Sequence, residues 1–255
     1  MPNSSVPDSS VPDSSVRDPP VRDPPVRDSP VPSSPARHRH ESPSPVAAPR
    51  SPMRLYLAST SPARLATLRA AGIEPIVVPS HVDEDAAVEA AAPLTPIKMV
   101  LLLARLKATA VLGPAIDGFV LGGDSVFELD GIVYGKPHLP EVARERWMLQ
   151  RGRTGHLHSG HWLIDHRAGA VRGAVGDVAT AGVTFASDIT DHEIDAYVAT
   201  GEPLEVAGAF TIDSLGAPFI TSVDGDPHAV VGLSLSTLRS LLRQFDVSWP
   251  SLWNR

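Results

Sequence analysis

The stretch Arg54–Arg64, Arg-Leu-Tyr-Leu-Ala-Ser-Thr-Ser-Pro-Ala-Arg, constrains the fold more than any other part of the chain. Leu55 to Ala58 is a short apolar run suited to a buried strand. Ser59-Thr60-Ser61 ends it, and Pro62 stands where a helix best tolerates proline, at its first position. Ser61 is then the N-cap, its hydroxyl accepting from a backbone N–H of the first turn. Leu65 and Leu68 carry a helical pattern to Gly72, a C-terminal stop. A strand running through a hydroxyl-rich loop into a helix belongs to an α/β fold. The free N–H groups and the dipole of that helix, with Ser59, Ser61 and Arg64, make a phosphate cradle. Many proteins carry such a turn for structural reasons alone, and on local geometry both readings stand.

The rest of the chain divides at about residue 52. Upstream, Ser4-Ser5-Val6-Pro7-Asp8 recurs with a period of five as far as Asp28, and 14 of the 26 prolines lie in residues 1–52. A segment with almost no aliphatic side chain but valine cannot build a core, so residues 1–52 are expected to be disordered or polyproline-like. An inert tail, a Pro-rich docking segment and a translation start at Met53 are the three readings of it. Residues 53–255 form the second domain. The six arginines of the tail are balanced by five aspartates and Glu41, so the formal charge of −7 resides entirely in that domain. No basic patch favours a nucleic-acid polymer, although an acidic protein can bind a free nucleotide. With no cysteine there is no disulfide framework or thiolate site. The longest strongly apolar run, Met99–Ala104, is too short to span a bilayer, and no basic-then-apolar leader pattern opens the chain. A soluble, cytoplasmic protein is expected.

Downstream of the first helix, Ile73–Pro79 reads as a strand and 80–85 as an acidic loop. Thr95 caps a helix running to about Leu112. Phe119–Phe127 is a buried strand interrupted by Gly122, Gly123 and Asp124. Asp130-Gly131 marks a hairpin. Helices are expected over 141–150, from the Thr190–Glu193 capping box to Thr200, and over 234–245, with strands at 156–165, up to 185, and at 219–223. The fold class is α/β, with a mixed β-sheet flanked by helices.

Asp124 is the sharpest candidate, because burying an unpaired carboxylate among glycines is costly unless it binds metal, moves protons or caps a turn. Glu84, Lys107 and Lys136, taken singly, read as solvated charges, though Gly135 and Pro137 fix the backbone around Lys136. His156 and His158 share a strand face, but no carboxylate completes a metal set with His161. Gly123-Asp124-Ser125 resembles the nucleophile block of the GDSL hydrolases. That chemistry needs an Asp-x-x-His pair, and none occurs.

Taken together, these residues resemble the Maf family of nucleotide pyrophosphatases over 53–247. The family's Ser-x-Ser-Pro-Arg-Arg block stands as Ser59–Arg64, its Val-Asp-Glu as Val82–Glu84, its helix lysine as Lys107. Its Gly-x-Asp-Thr and Gly-Lys-Pro are similar to Gly122–Ser125 and Gly135–Pro137, and its Gly-Arg-Thr to Gly152–Thr154. The Tyr-Val-x-x-Gly-Glu-Pro-Leu-x-x-Ala-Gly block is Tyr197–Gly208, and Val-Val-Gly-Leu is Val230–Leu233.

The resemblance implies a Maf/ITPase-like fold, a homodimer, and metal-dependent hydrolysis of nucleoside triphosphates to the monophosphate and pyrophosphate. Asp124 is implied as general base and metal ligand, and Glu84 as a second oxygen ligand for Mg²⁺ or Mn²⁺. Ser59, Ser61, Arg64, Lys107 and Lys136 are implied to bind phosphate. Three positions depart from the family subgroups and bear on specificity: Ala63, Ser125 and Asp213. An acidic Asp213 favours bases with amino or imino donors, such as guanine or cytosine. The alternative reading is a nucleotide-sensing regulator of septum formation that binds without turnover.

Overall fold

The computed structural model describes residues 53–255; the pentapeptide segment expected to be disordered lies outside the described residues. The elements run β1 (Leu55–Ala58), α1 (Pro62–Ala70), β2 (Ile76–Val77), α2 (Glu84–Ala91), α3 (Pro96–Ala110), β3 (Phe119–Leu129) and β4 (Ile132–Tyr134). They continue with α4 (Pro140–Gln150), β5 (Thr154–Asp165), β6 (Gly173–Phe185), α5 (Asp191–Ala199), β7 (Ile220–Gly225), α6 (Pro227–Val231) and α7 (Leu235–Arg243). The expected mixed sheet flanked by helices is what forms. Its order is β2-β1-β3-β5-β6-β7, with β4 also paired to β3. β1 runs parallel to β2 and β3, and the remaining ladders are antiparallel.

Local sequence sets most of these boundaries. Ser61, Thr95 and Thr190 each accept from a backbone N–H of their own helix, and Thr190 with Glu193 closes the capping box. Asp130 and Gly131, both at positive φ, turn β3 into β4.

Three expectations need correction. The stretch read as an acidic loop becomes a helix at Glu84, capped by the Asp83 carboxylate. The strand expected over 73–79 is only two residues long, with Ile76 and Val77 paired to Tyr56 and Leu57 of β1. The strand expected to end at Val223 runs on as β7 through Asp224 and Gly225, which pair with Gly182 and Ala181.

The sheet is covered unevenly. Leu68, Leu238, Leu241 and Leu242 of α1 and α7 pack on Leu55, Leu57, Phe119 and Leu121. At the other end of the long strands, Trp147 of α4 and Tyr197 of α5 pack with Phe127, Phe185 and Phe210. The Trp147 indole N–H donates to Ala209 O at 2.7 Å, so this aromatic cluster leaves no buried indole donor unmet. On the opposite face α3 lies almost on the sheet backbone. A Cβ at Gly122 would come within 2.0 Å of Ala104 O, and one at Gly160 within 2.4 Å of Val100 O. Side chains at either position would lift the helix.

Candidate active site

The architecture opens a gap in one edge of β3. β1 pairs with β3 only as far as Ala58 opposite Gly122, and β4 joins the same edge only at Phe127. Between them Gly123, Asp124, Ser125 and Val126 have a strand neighbour on one side alone, β5. Asp124 lies in this gap on the α3 face, opposite Gly160. The two glycines that admit α3 flank it, and they let Lys107 descend onto the carboxylate.

Lys107 is 8% exposed, contrary to its reading as a solvated surface lysine. Its Nζ lies 2.8 Å from Asp124 Oδ1 and 2.8 Å from Glu84 Oε1. Two oxygens held by one ammonium at those distances converge on a common point. The Asp124 carboxyl is pushed above its ordinary range: burial raises it most, Lys107 and Arg64 oppose that, and Glu84 adds to it. Oδ1 takes the lysine hydrogen bond, while Oδ2 accepts none among the described residues. Glu84 opens α2, where the helix dipole favours an anion, and is half-exposed.

The Ser59–Arg64 block forms the second part of the site. The guanidinium of Arg64 is buried over Gly123 and donates three ways: Nε to Gly232 O at 2.8 Å, Nη1 to Ser59 Oγ at 3.1 Å and Nη2 to Ser125 Oγ at 3.0 Å. All three acceptors are neutral. Burial pulls its pKa down, Asp124 and Glu84 pull it up from a distance, and it stays charged. A buried cation whose hydrogen bonds go only to neutral groups is a candidate anion site. Ser59 Oγ also accepts from Ser61 N–H at 3.2 Å, and Ser61 Oγ accepts from Arg64 N–H at 3.4 Å, so both serines hold the loop.

Ser125 points to the Arg64 side of β3, away from Asp124. Ser159 donates to Ala229 O at 2.7 Å, so it receives the Ser125 proton at 2.8 Å, leaving Ser125 an acceptor for Arg64. His161, on the same face as Ser159, is pushed down to about 4 by burial and then by Arg64. It is neutral, and its Nε2 accepts from Ser234 N–H at 2.9 Å. The sequence offered no sign of this Ser125–Ser159–Ala229 chain, because its members are distant along the backbone. The histidine trio does not converge: His161 faces opposite His156 and His158, and His158 is held between Glu128 and Thr180 at 2.9 Å each.

Other candidates sit apart. Lys136 is exposed and lies 3.9 Å from Glu205, outside the Lys107 cluster. Ala63 is on the first turn of α1. Asp213 is exposed and lines a cavity of about 450 Å³, together with Ala66 and Thr67 of α1 and His228 and Val231 of α6. On α1 its lining residues are Ala66, Thr67, Ala70 and Ala71, so the cavity runs along α1 on the C-terminal side of the Ser59–Arg64 block.

Among the described residues, no group of three or more His, Cys, Asp or Glu could enclose a metal ion. Mg²⁺, however, is commonly held by one or two carboxylates and completed by water and substrate phosphate. Glu84 and Asp124, converging from α2 and β3, fit that donor set. No helix among the described residues is long and apolar enough to cross a membrane.

The family model for "Maf-like protein" matches residues 54–245. The chain is 70% identical over 211 residues to a protein of Leifsonia xyli subsp. xyli named nucleoside triphosphate pyrophosphatase, covering 80% of this chain and 98% of that one. It is 52% identical to a protein of the same name from Salinispora tropica, over 80% of this chain and 89% of the relative. The Staphylococcus aureus Ham1 protein aligns with a TM-score of 0.38 at 12% identity, over 75% of this chain and 99% of that one.

Proposed function

The chain belongs to the Maf-like family, and from that premise we propose that it hydrolyses nucleoside triphosphates to the monophosphate and pyrophosphate. The observation that carries this reading is the Lys107 ammonium, 2.8 Å from both Glu84 and Asp124 in the β3 gap. A structural lysine has no need of two convergent carboxylates, one of them buried and raised.

In this reading Asp124 is the general base. Burial moves its carboxyl toward the working pH, where a base is most effective. Lys107 fixes Oδ1, so Oδ2 is the oxygen that takes a proton from the water attacking the α-phosphorus. The anhydride bond between the α- and β-phosphoryl groups breaks, and the electron pair leaves with pyrophosphate. Arg64, Ser59, Ser61 and the Ala63 N–H in the first turn of α1 hold the phosphate oxygens. Lys136 joins them only once it leaves Glu205. Glu84 and Asp124 would hold a divalent cation, Mg²⁺ or Mn²⁺, which when bound neutralises phosphate charge. Arg64, Lys107, Glu84 and Asp124 sum to zero charge, so the free site has no net cation to offer a triphosphate. That balance favours a metal-dependent reading.

Asp213 faces the base and favours guanine or cytosine edges, and Ala63 and Ser125 complete the specificity set. The enzyme acts on free nucleotides in the cytoplasm, as a homodimer. The test is pyrophosphate release from a panel of standard and modified triphosphates, with Mg²⁺ and with chelator. Release from at least one substrate, abolished by chelator, is expected. No release from any substrate refutes hydrolysis and leaves binding without turnover. Fastest turnover of thymidine and uridine triphosphates refutes the role of Asp213.

A further inference from the structure

The Gly201-Glu202-Pro203 motif is not used by the chemistry above, yet Glu202 is the most heavily hydrogen-bonded carboxylate of the described residues. It opens a 3₁₀ turn, Glu202–Glu205, after Gly201 in the left-handed region. Its Oε1 accepts from Tyr197 Oη at 2.9 Å, Thr211 Oγ1 at 2.5 Å and Gly216 N–H at 3.2 Å. Its Oε2 accepts from Ser214 Oγ at 2.6 Å and Leu215 N–H at 3.3 Å. Four of these five donors belong to the loop Thr211–Gly216. That loop is in no strand ladder and contains no helix, so side-chain bonds to Glu202 set its shape. Burial alone would raise the carboxyl; the hydroxyls of Ser214, Thr211 and Tyr197 and the Leu215 N–H hold it at about 2, so it is ionised at any working pH.

Asp213 lies inside this loop, between two of the clamped residues, and forms part of the wall of the cavity along α1. At about 450 Å³ the cavity is within the range of small-molecule pockets. Its walls are mostly apolar, with Asp213, His228 and Thr67 as polar groups, the Thr67 hydroxyl donating to Ala63 O, which suits a planar heterocycle presenting hydrogen-bond donors. We propose that Glu202 is a positioning residue for base recognition, clamping the Thr211–Gly216 loop so that Asp213 meets the nucleobase in the cavity along α1. This rests on the triphosphate reading above and adds to it a residue that touches neither phosphate nor base.

The test uses the full chain with Glu202→Gln, Ser214→Ala and Asp213→Ala. Measured are kcat and KM for pyrophosphate release across bases, the inhibition constant of inorganic triphosphate as a base-free competitor, and Tm. For Glu202→Gln, KM for the preferred nucleotide should rise about tenfold and discrimination between bases should fall about tenfold. Both kcat at saturation and the inorganic triphosphate constant should stay within twofold. Asp213→Ala should give the same loss, with no further loss in the double variant, and Ser214→Ala a smaller one of about threefold.

A merely structural role would instead weaken inorganic triphosphate and all nucleotides alike, or lower kcat throughout; either result overturns the proposal. Should Glu202→Gln fail to fold, unchanged discrimination in Ser214→Ala overturns it equally. If the wild type released no pyrophosphate, the hydrolytic reading would fail by itself. The Glu202 proposal would then stand or fall on whether the same variants change base preference in equilibrium binding of the triphosphates.

Discussion

Replacing Asp124 by asparagine should separate activity from stability, in opposite directions. Removing a positioned general base costs about 10²–10⁴ in rate, equivalent to roughly 2.7–5.5 kcal/mol of barrier at 1.36 kcal/mol per decade. Asparagine keeps the shape and one acceptor oxygen for Lys107, which also retains Glu84 at 2.8 Å, so no cation is orphaned. In the wild type, burial outweighs Lys107 and Arg64 and raises the Asp124 pKa above its ordinary 3.8. A raised carboxyl contributes stability fully below its unfolded value, and that contribution is lost as pH rises through its folded value. Ionised Asp124 therefore costs the fold stability at neutral and alkaline pH, a stability traded for activity. The Asp124→Asn variant should relieve that cost by about 1 kcal/mol at pH 8, which is roughly 2–4 °C in Tm for a domain of this size. The gain should shrink as pH falls from 8 to about 4, close to the ordinary value of 3.8. Pyrophosphate release at saturating nucleotide measures the first effect, and urea midpoints at the two pH values measure the second. A variant keeping more than about a tenth of wild-type turnover would refute the base assignment. A variant less stable than wild type at pH 8 would show that Lys107 outweighs burial, contrary to the reasoning.

Gly122→Ala would place a Cβ 2.0 Å from Ala104 O and 2.8 Å from Ala108 N, both backbone atoms of α3. The helix must shift and carry Lys107 away from Asp124, so a loss of about 3 kcal/mol in urea unfolding is expected together with loss of turnover. Arg64→Lys keeps the charge, but one ammonium cannot span Gly232, Ser59 and Ser125; kcat/KM should fall about 100-fold, where an unchanged value would remove the guanidinium from the site. Glu202, lowered from 4.5 to about 2, contributes stability present above pH 4.5 and lost as pH falls through about 2. Because it is partly exposed, about 1 kcal/mol is expected, read as a stability difference between wild type and Glu202→Gln that is present at pH 6 and shrinks at pH 3.

What was legible in the sequence was mostly local. Ser61, Thr95 and Thr190 announce helices because a capping hydroxyl acts within three residues of itself. Asp130-Gly131 announces a hairpin because only certain residues tolerate its dihedrals. Helix α2 was missed because EDAAVEAA buries no residue and so carries no core-facing stripe. The candidate site was legible as a set of residues and not as a geometry. Nothing near Lys107 in the chain reveals that Gly122 and Gly160, on two other elements, let its helix down onto Asp124. Lys136 stands beside Glu205 for an equally non-local reason: the chain folds the 202–205 turn back onto the β4 exit, where His138 N–H also donates to Leu204 O at 3.0 Å. Ser159 and Glu202 act through partners 34 and up to 14 residues away, beyond any local pattern.

The gap in β3 explains why a carboxylate that harms stability can persist there. A complete ladder would need β1 to run past Ala58, but Ser59–Ser61 turns the chain into α1 at that point. The turn that creates the proposed phosphate cradle therefore also uncovers the edge of Gly123–Val126. One local event thus supplies both halves of the proposed reaction, an anion site on one face of β3 and a base on the other. The two halves interact through charge. Arg64 and Lys107 are balanced by Asp124 and Glu84, and Ala63 adds nothing where the resembling family carries an arginine. Of the two anions, Asp124 is fixed in the sheet, whereas Glu84 is half-exposed on a helix that buries no residue. In the proposed reaction Glu84 is therefore the carboxylate more readily released from Lys107, and its release would turn that ammonium toward a phosphate.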